Sequence, residues 1–258
     1  MSGHSKWATI RHKKGAQDAK RGKLFSKLIK EITVAAKMGG GDEETNPRLR
    51  TAVLKAKAAN MPKDNIERAI KKGTGDLGGS EYFELSYEGY GPNGVAILVD
   101  TLTDNKNRTA ADVRSIFNKN GGNLGESGCV SYLFTRKGII AYDAETYSED
   151  AILEVALEAG AEDVETSGDS IEVSTTPEEF ENVLNALTEA GFEHTMAEVS
   201  RVPEATVSLE PEETRKALRL VELLDDHDDV QEVATNLDLP DDFDPDGRFS
   251  GRLTLEDA

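Results

Sequence analysis

From Gly22 onward the apolar side chains fall at helical intervals. Placed at 100° per residue, Leu24, Leu28, Ile29, Ile32, Ala35 and Ala36 share one face, and Lys20, Lys23, Lys27, Lys30 and Lys37 fall within about 100° of one another on the opposite one. The pattern predicts a helix that packs with one side, presents ammonium groups to solvent with the other, and stops at Gly39-Gly40-Gly41. Asn46 and Pro47 form an N-cap and first-turn pair, so a second helix is expected to about Asn60, with Leu49, Val53 and Ala56 inward and Arg50 and Lys57 one heptad apart. A third begins at Pro62, buries Ile66, Ala69 and Ile70, and ends at Gly73. Three short amphipathic helices with tight connections make a small bundle. The glycine-rich stretch 73–80 reads as a linker.

Beyond the linker the period changes. Phe83–Tyr90 and Val95–Leu102 read as strands joined by the turn Gly91-Pro92-Asn93-Gly94, followed by a helix over Arg108–Asn118 that carries Ala111, Val113, Ile116 and Phe117 and is closed by Gly121-Gly122. Strand 138–143, helix 149–159, strands 163–167 and 170–175, helix 177–190 and strand 195–200 follow in the β-α-β-β-α-β order of a ferredoxin-like unit. A strand at 205–209, a helix from Pro211 to Leu224 and a strand near Val230–Asn236 are placed to complete the sheet begun at Phe83. The expected fold class is α+β. A basic arm and helical domain occupies 1–79, an α/β domain is built from 80–135 plus 204–240, an inserted ferredoxin-like α/β domain spans 136–203, and an acidic tail covers 241–258.

A chain of 258 residues with 37% hydrophobic content can build one large core or two to three small ones. Its longest apolar run, Val95 to Val99, is far short of the roughly 20 residues a membrane helix needs. The polar, basic N-terminus has no apolar signal segment. The single cysteine, Cys129, fits a reducing compartment, and with only Gly128, Val130 and Tyr132 nearby it reads as a small buried residue. A cytoplasmic protein with no membrane partner is expected.

Net charge alone would mislead. At −19 the chain looks ill suited to phosphates, yet residues 1–79 hold 18 Lys and Arg against 8 Asp and Glu, a net of +10, while 80–258 carry −29. Such asymmetry points to a nucleic acid or another anionic surface, the alternative being a solvated charged exterior. Enzyme signatures are missing. His4, His12, His194 and His227 fall in no metal motif, and no nucleophile elbow, Walker loop or Gly-x-Gly-x-x-Gly after a strand occurs. No catalytic residue, metal, cofactor or small-molecule substrate is therefore expected. Asp242-x-Asp244-x-Asp246-Gly247 begins like a calcium loop but places Leu253 where a bidentate Glu belongs. Asp225-Asp226-His227-Asp228-Asp229 reads as a solvated turn after a helix.

The positive signals lie in the N-terminal part. Arg11-His12-Lys13-Lys14 and Lys20-Arg21-x-Lys23 cluster cations of the kind that release counterions from phosphates. Trp7 sits among them, placed either to stack on an unpaired base or to pack back onto the bundle. The candidate nucleic-acid-binding set is Lys6, Trp7, Arg11, His12, Lys13, Lys14, Lys20, Arg21, Lys23, Lys27, Lys30, Arg48, Arg50, Lys57 and Lys63. Thr103–Thr109 lies between a strand and a helix. It is either a helix start capped by Asn105 or Asn107, or a polar loop that touches RNA or a ribosomal protein through Lys106 and Arg108.

The run from Gly3 to Lys14, Gly-His-Ser-Lys-Trp-Ala-Thr-Ile-Arg-His-Lys-Lys, closely resembles the opening of the YebC family. Asn46-Pro47-Arg48-Leu49-Arg50, Asn60–Ile66, Tyr87–Pro92 and Leu102–Thr109 extend the resemblance, which reaches to about Asn236. It implies three domains, a helical one and two α/β ones, with no catalysis and no cofactor. Two roles attach to the family, DNA-binding transcriptional regulation and relief of ribosome stalling on proline-rich stretches. The added tail from Asp241 and the acidity of the C-terminal part depart from the family pattern. A DNA reader would offer Asn, Gln and Arg to base edges. The first helix offers lysines, which meet phosphate as point charges. A lobe at −29 would also be repelled by a long duplex, whereas a ribosome mixes RNA with basic proteins. A ribosome-associated translation factor that binds ribosomal or transfer RNA is thus favoured over a DNA-binding transcriptional regulator. An acidic protein-interaction module, whose basic helices dock on an acidic partner, is the third reading.

Overall fold

The computed structural model describes residues 18–75 and 81–239. Three helices come first: α1 (Asp18–Gly39), α2 (Pro47–Ala58) and α3 (Lys63–Gly73). They close on a core of Leu28, Ile32, Leu49, Val53, Ile66 and neighbouring alanines. Leu24, expected on the packed face, is 38% exposed. Gly73 sets the approach of α3 to α1, since a Cβ at this position would lie 2.3 Å from the Thr33 carbonyl oxygen. Buried Asn46 joins two helix ends. Its Oδ1 accepts from the Leu49 N–H at 3.1 Å, while its Nδ2 donates to the carbonyls of Ala35 and Gly40, each at 2.8 Å. One side chain thereby satisfies orphan groups at the start of α2 and the end of α1.

A four-stranded antiparallel sheet follows, in the order β3-β1-β2-β8, from β1 (Phe83–Tyr90), β2 (Ala96–Thr103), β3 (Asn123–Leu124) and β8 (Val230–Thr235). Helices α4 (Lys106–Lys119) and α7 (Pro211–Asp225) cover one face through Val113, Phe117, Leu220, Val221 and Leu224. Leu98, Val130, Phe134 and Ala234 form a second cluster that includes alternate residues of β2, so this central strand is buried on both sides and reads as a continuous apolar run. Gly89 must be glycine, because a Cβ would stand 2.5 Å from the Asn123 carbonyl where β3 pairs with β1.

Buried Glu88 pins the following loop. Its carboxylate accepts from the N–H groups of Gly128 at 2.7 Å and of Val130 and Ser131 at 2.8 Å each. Burial alone would raise its pKa, but the three backbone donors outweigh that and lower it.

The second sheet has the order β5-β6-β4-β7, built from β4 (Phe134–Asp143), β5 (Asp163–Ser167), β6 (Ser170–Thr175) and β7 (Met196–Pro203). With α5 (Glu149–Glu158) and α6 (Phe180–Glu189) packed on Ile140, Tyr142 and Val173, this is the ferredoxin-like arrangement. Several expected elements differ in extent or type: β4 begins at Phe134 rather than 138, and β7 ends at Pro203 rather than 200. Segment 205–209 is not a strand. It meets the residues after β8 at one bridge, Val207 to Leu237, before Pro211 turns it into α7. The helix expected from 177 starts at Phe180, because Thr176 Oγ1 accepts from the Glu179 N–H in a preceding turn.

The apolar cluster of the bundle contains bundle residues alone, and the described ion pairs that join it to the remainder involve Lys27, Lys30, Arg48 and Arg50. The bundle is thus attached mainly through charge.

Candidate nucleic-acid interface

Three lysines of the α1 row are occupied. Lys23 Nζ donates to the Asp226 carbonyl at 3.0 Å and Lys30 Nζ to the Asp228 carbonyl at 2.9 Å, and Lys27 Nζ bonds the Asp225 carbonyl. Lys27 also lies 3.8 Å from the Asp225 carboxylate, and Lys30 2.7 Å from that of Asp229. This corrects two expectations together. The Lys27 and Lys30 side chains are only 13% and 19% exposed, and the Asp225–Asp229 turn is no free solvated loop. The cause is a match of charge and geometry. Free carbonyls at the C-terminal end of a helix carry the negative end of its dipole, and four aspartates add to it. Cations at i, i+4 and i+7 on α1 line up with that end.

Asp229 is the hub. It is 3% exposed, and besides Lys30 it accepts from Arg108 Nη2 at 2.8 Å and Thr109 Oγ1 at 2.9 Å, with Thr103 Oγ1 at 3.3 Å. Burial pushes its carboxyl upward, but the hydrogen bonds from Lys30, Arg108 and Thr109 overcome that and hold it far below the ordinary carboxylate range. The Thr103–Thr109 segment therefore starts a helix and serves this hub. Asn105 caps α4 by accepting from the Arg108 N–H at 3.1 Å. Arg108 also pairs with Asp104 at 3.0 Å, and Lys106 Nζ lies 4.0 Å above the Phe83 ring.

The remaining cations of α2 and α3 divide in two. Arg48 bridges Glu31 at 2.8 Å and Glu84 at 2.6 Å, and Arg50 meets Glu181 of α6 at 3.3 Å along with the carbonyls of Glu43 and Glu44. Both are positioned by interfaces of the fold. Lys57 and Lys63 are exposed, with loose pairs to Glu43 and Glu67 at 3.6 Å each, of the kind that contributes little. Lys55, Arg68 and Lys71 are exposed as well, and sequence reasoning missed all three. The signal was available: residues 47–73 hold eight Lys and Arg against two Asp and Glu. Lys6, Trp7, Arg11, His12, Lys13 and Lys14 lie outside the described residues, as does the acidic tail, and of Lys20 and Arg21 only the helical backbone of α1 is described.

No helix among the described residues is long and apolar enough to cross a membrane.

The sequence model of the TACO1/YebC protein N-terminal domain matches residues 5–76, and that of the TACO1/YebC second and third domain matches 82–237. A "Probable transcriptional regulatory protein" of Treponema denticola is 65% identical over 243 residues, covering 94% of this chain and 98% of that one. A relative of the same designation from Desulforapulum autotrophicum is 61% identical over 241 residues, covering 93% and 98%. Among solved structures, a conserved hypothetical protein from Aquifex aeolicus superposes with a TM-score of 0.77 at 51% identity, covering 86% of this chain and 92% of that one.

Proposed function

The chain belongs to the TACO1/YebC family, and from that membership we propose that it is a non-enzymatic regulator of gene expression that binds nucleic acid through its N-terminal basic segment, with the ribosome and its RNA as the favoured target. The observation that carries the reading is the basic surface of the bundle. Lys55, Lys57, Lys63, Arg68 and Lys71 stand at its surface on helices with only two acids, in a chain whose remainder is strongly acidic. Lysine-rich surfaces of this kind bind phosphate without reading bases, which suits a structured RNA. The second reading, a DNA-binding transcriptional regulator, is favoured by the designation of the relatives.

Co-sedimentation with ribosomes decides between them when duplex DNA is added as competitor at matched salt. Ribosome binding that survives an excess of duplex supports the RNA reading. Binding that moves to the duplex establishes the DNA reading, and failure to bind either one removes the proposal.

A further inference from the structure

The lysine row of α1 and the acidic turn after α7 are joined in a manner that a nucleic acid would disrupt. We infer that the Asp225–Asp229 turn is an intramolecular stand-in for a phosphate backbone, a latch that engages Lys23, Lys27 and Lys30 until a polyanion displaces it. The inference rests on the proposed nucleic-acid binding and supplies its regulation. Three observations carry it. First, the ammonium groups of Lys23, Lys27 and Lys30 are each engaged by an oxygen of this one turn, as a row of phosphates would engage them. Second, the bundle shares no apolar cluster with the sheets among the described residues, so opening the latch exposes polar groups and little hydrophobic surface. Third, the junction is open to water. A cleft of about 570 Å³ is lined by Lys23, Lys30, Arg108, Asp112, His227 and the acids of the turn, so dissolved ions reach the charges that hold it.

Closed and open forms then compete for the same three lysines. If the closed form outnumbers the open one tenfold, the apparent affinity for RNA is about a tenth of its intrinsic value, and removing the latch restores it. The reciprocal also holds. Every polyanion bound to the row favours the open form.

The test uses the full chain with Asp225→Asn, Asp226→Asn and Asp228→Asn combined, which keeps the turn's shape and the Asp229 hub while removing three charges. A control with Asp150→Asn, Glu154→Gln and Glu158→Gln on α5 changes net charge equally at a distant surface. RNA affinity is measured by titration with a single-stranded oligonucleotide, and chain dimensions by small-angle scattering from about 50 to 500 mM salt. The expected result is an affinity gain of up to about tenfold in the turn variant over the control, with dimensions that enlarge at lower salt than those of wild type, because the three carbonyl acceptors and the Lys30–Asp229 pair remain while three charges are gone. Lys23→Gln, Lys27→Gln and Lys30→Gln together should enlarge the chain in the same way yet weaken RNA binding. Equal gains in turn and control variants, or dimensions that respond to neither salt nor substitution, would overturn the latch. If dimensions respond as expected but wild type and both acid variants bind no RNA, the latch stands and the nucleic-acid reading falls.

Discussion

Asp229→Ala is the sharpest test of how the bundle is attached. The substitution removes the acceptor shared by Lys30, Arg108 and Thr109 at a position that is 3% exposed. Removing one partner of a buried ion pair costs about 3–5 kcal/mol, because the charge left behind is uncompensated. Arg108 is 47% exposed and can turn to water or to Asp104, which lowers the expectation to about 3 kcal/mol. Asp229→Asn retains the shape and one acceptor but converts charge-assisted bonds to neutral ones, so it should cost about 1–2 kcal/mol. The assay is urea unfolding of the full chain followed by far-ultraviolet circular dichroism, since the single tryptophan, Trp7, lies in the arm.

The pH dependence supplies an independent check. Asp229 titrates lower in the fold than when unfolded, so its contribution is present above the ordinary aspartate value near 4 and is lost as pH falls through the depressed folded value. The gap between wild type and Asp229→Asn should be full at pH 7 and shrink on acidification below about pH 4. A loss under 1 kcal/mol for the alanine variant, or a gap unchanged between pH 7 and 3, would refute the reasoning.

Three other outcomes are expected. Glu88→Ala leaves three backbone N–H groups without their acceptor and should destabilise by about 2–4 kcal/mol, read as a lowered urea midpoint, with hydrogen exchange quickened first over 125–131. Lys55→Glu, Lys63→Glu and Lys71→Glu combined should change the melting temperature by no more than a few degrees, because exposed substitutions each shift stability by under about 0.5 kcal/mol, yet RNA affinity and its salt slope should both fall in a filter-binding titration. Glu172 has a buried Oε1 without a hydrogen-bond partner among the described residues, and burial raises its pKa to about 7. Its cost is absent below the ordinary glutamate value and grows as pH rises toward 7, so Glu172→Gln should flatten the fall in melting temperature between pH 5 and 8 measured by calorimetry.

Much of the fold was legible because local signals agreed with it. The Asn46-Pro47 pair, the alternation after Phe83 and the β-α-β-β-α-β order each specify an element from residues a few positions apart. Segment 205–209 misled because Thr206 and Val207 have strand propensity, whereas a strand requires a paired edge, and the pairing with residues 236–238 stops at the single bridge Val207 to Leu237. The lysine row was found as a face but given the wrong surroundings. Periodicity tells which residues share a side of a helix, not what lies across from it, and the covering turn is 198 residues away for Lys27 and Lys30. The same limit hid Asp229. Thr103, Arg108 and Thr109 were recognised as a motif, but the carboxylate that gathers them belongs to a different part of the chain. Complementary charge was the one available signal, since a lysine row and a run of four aspartates in one chain are candidates for each other.

The position of β8 has a consequence for birth of the protein. Strand β2 is central, yet its partner on one side is the last strand among the described residues, so about 125 residues must be synthesised between them. At 5–20 residues per second this takes roughly 6–25 s, far longer than a hairpin or a small helical bundle needs to form. During that interval α1 is complete while the turn at 225–229 does not yet exist. The nascent chain therefore carries an unengaged lysine row beside the RNA of the particle that is making it, and acquires its own partner turn only when the segment leading into β8 is made.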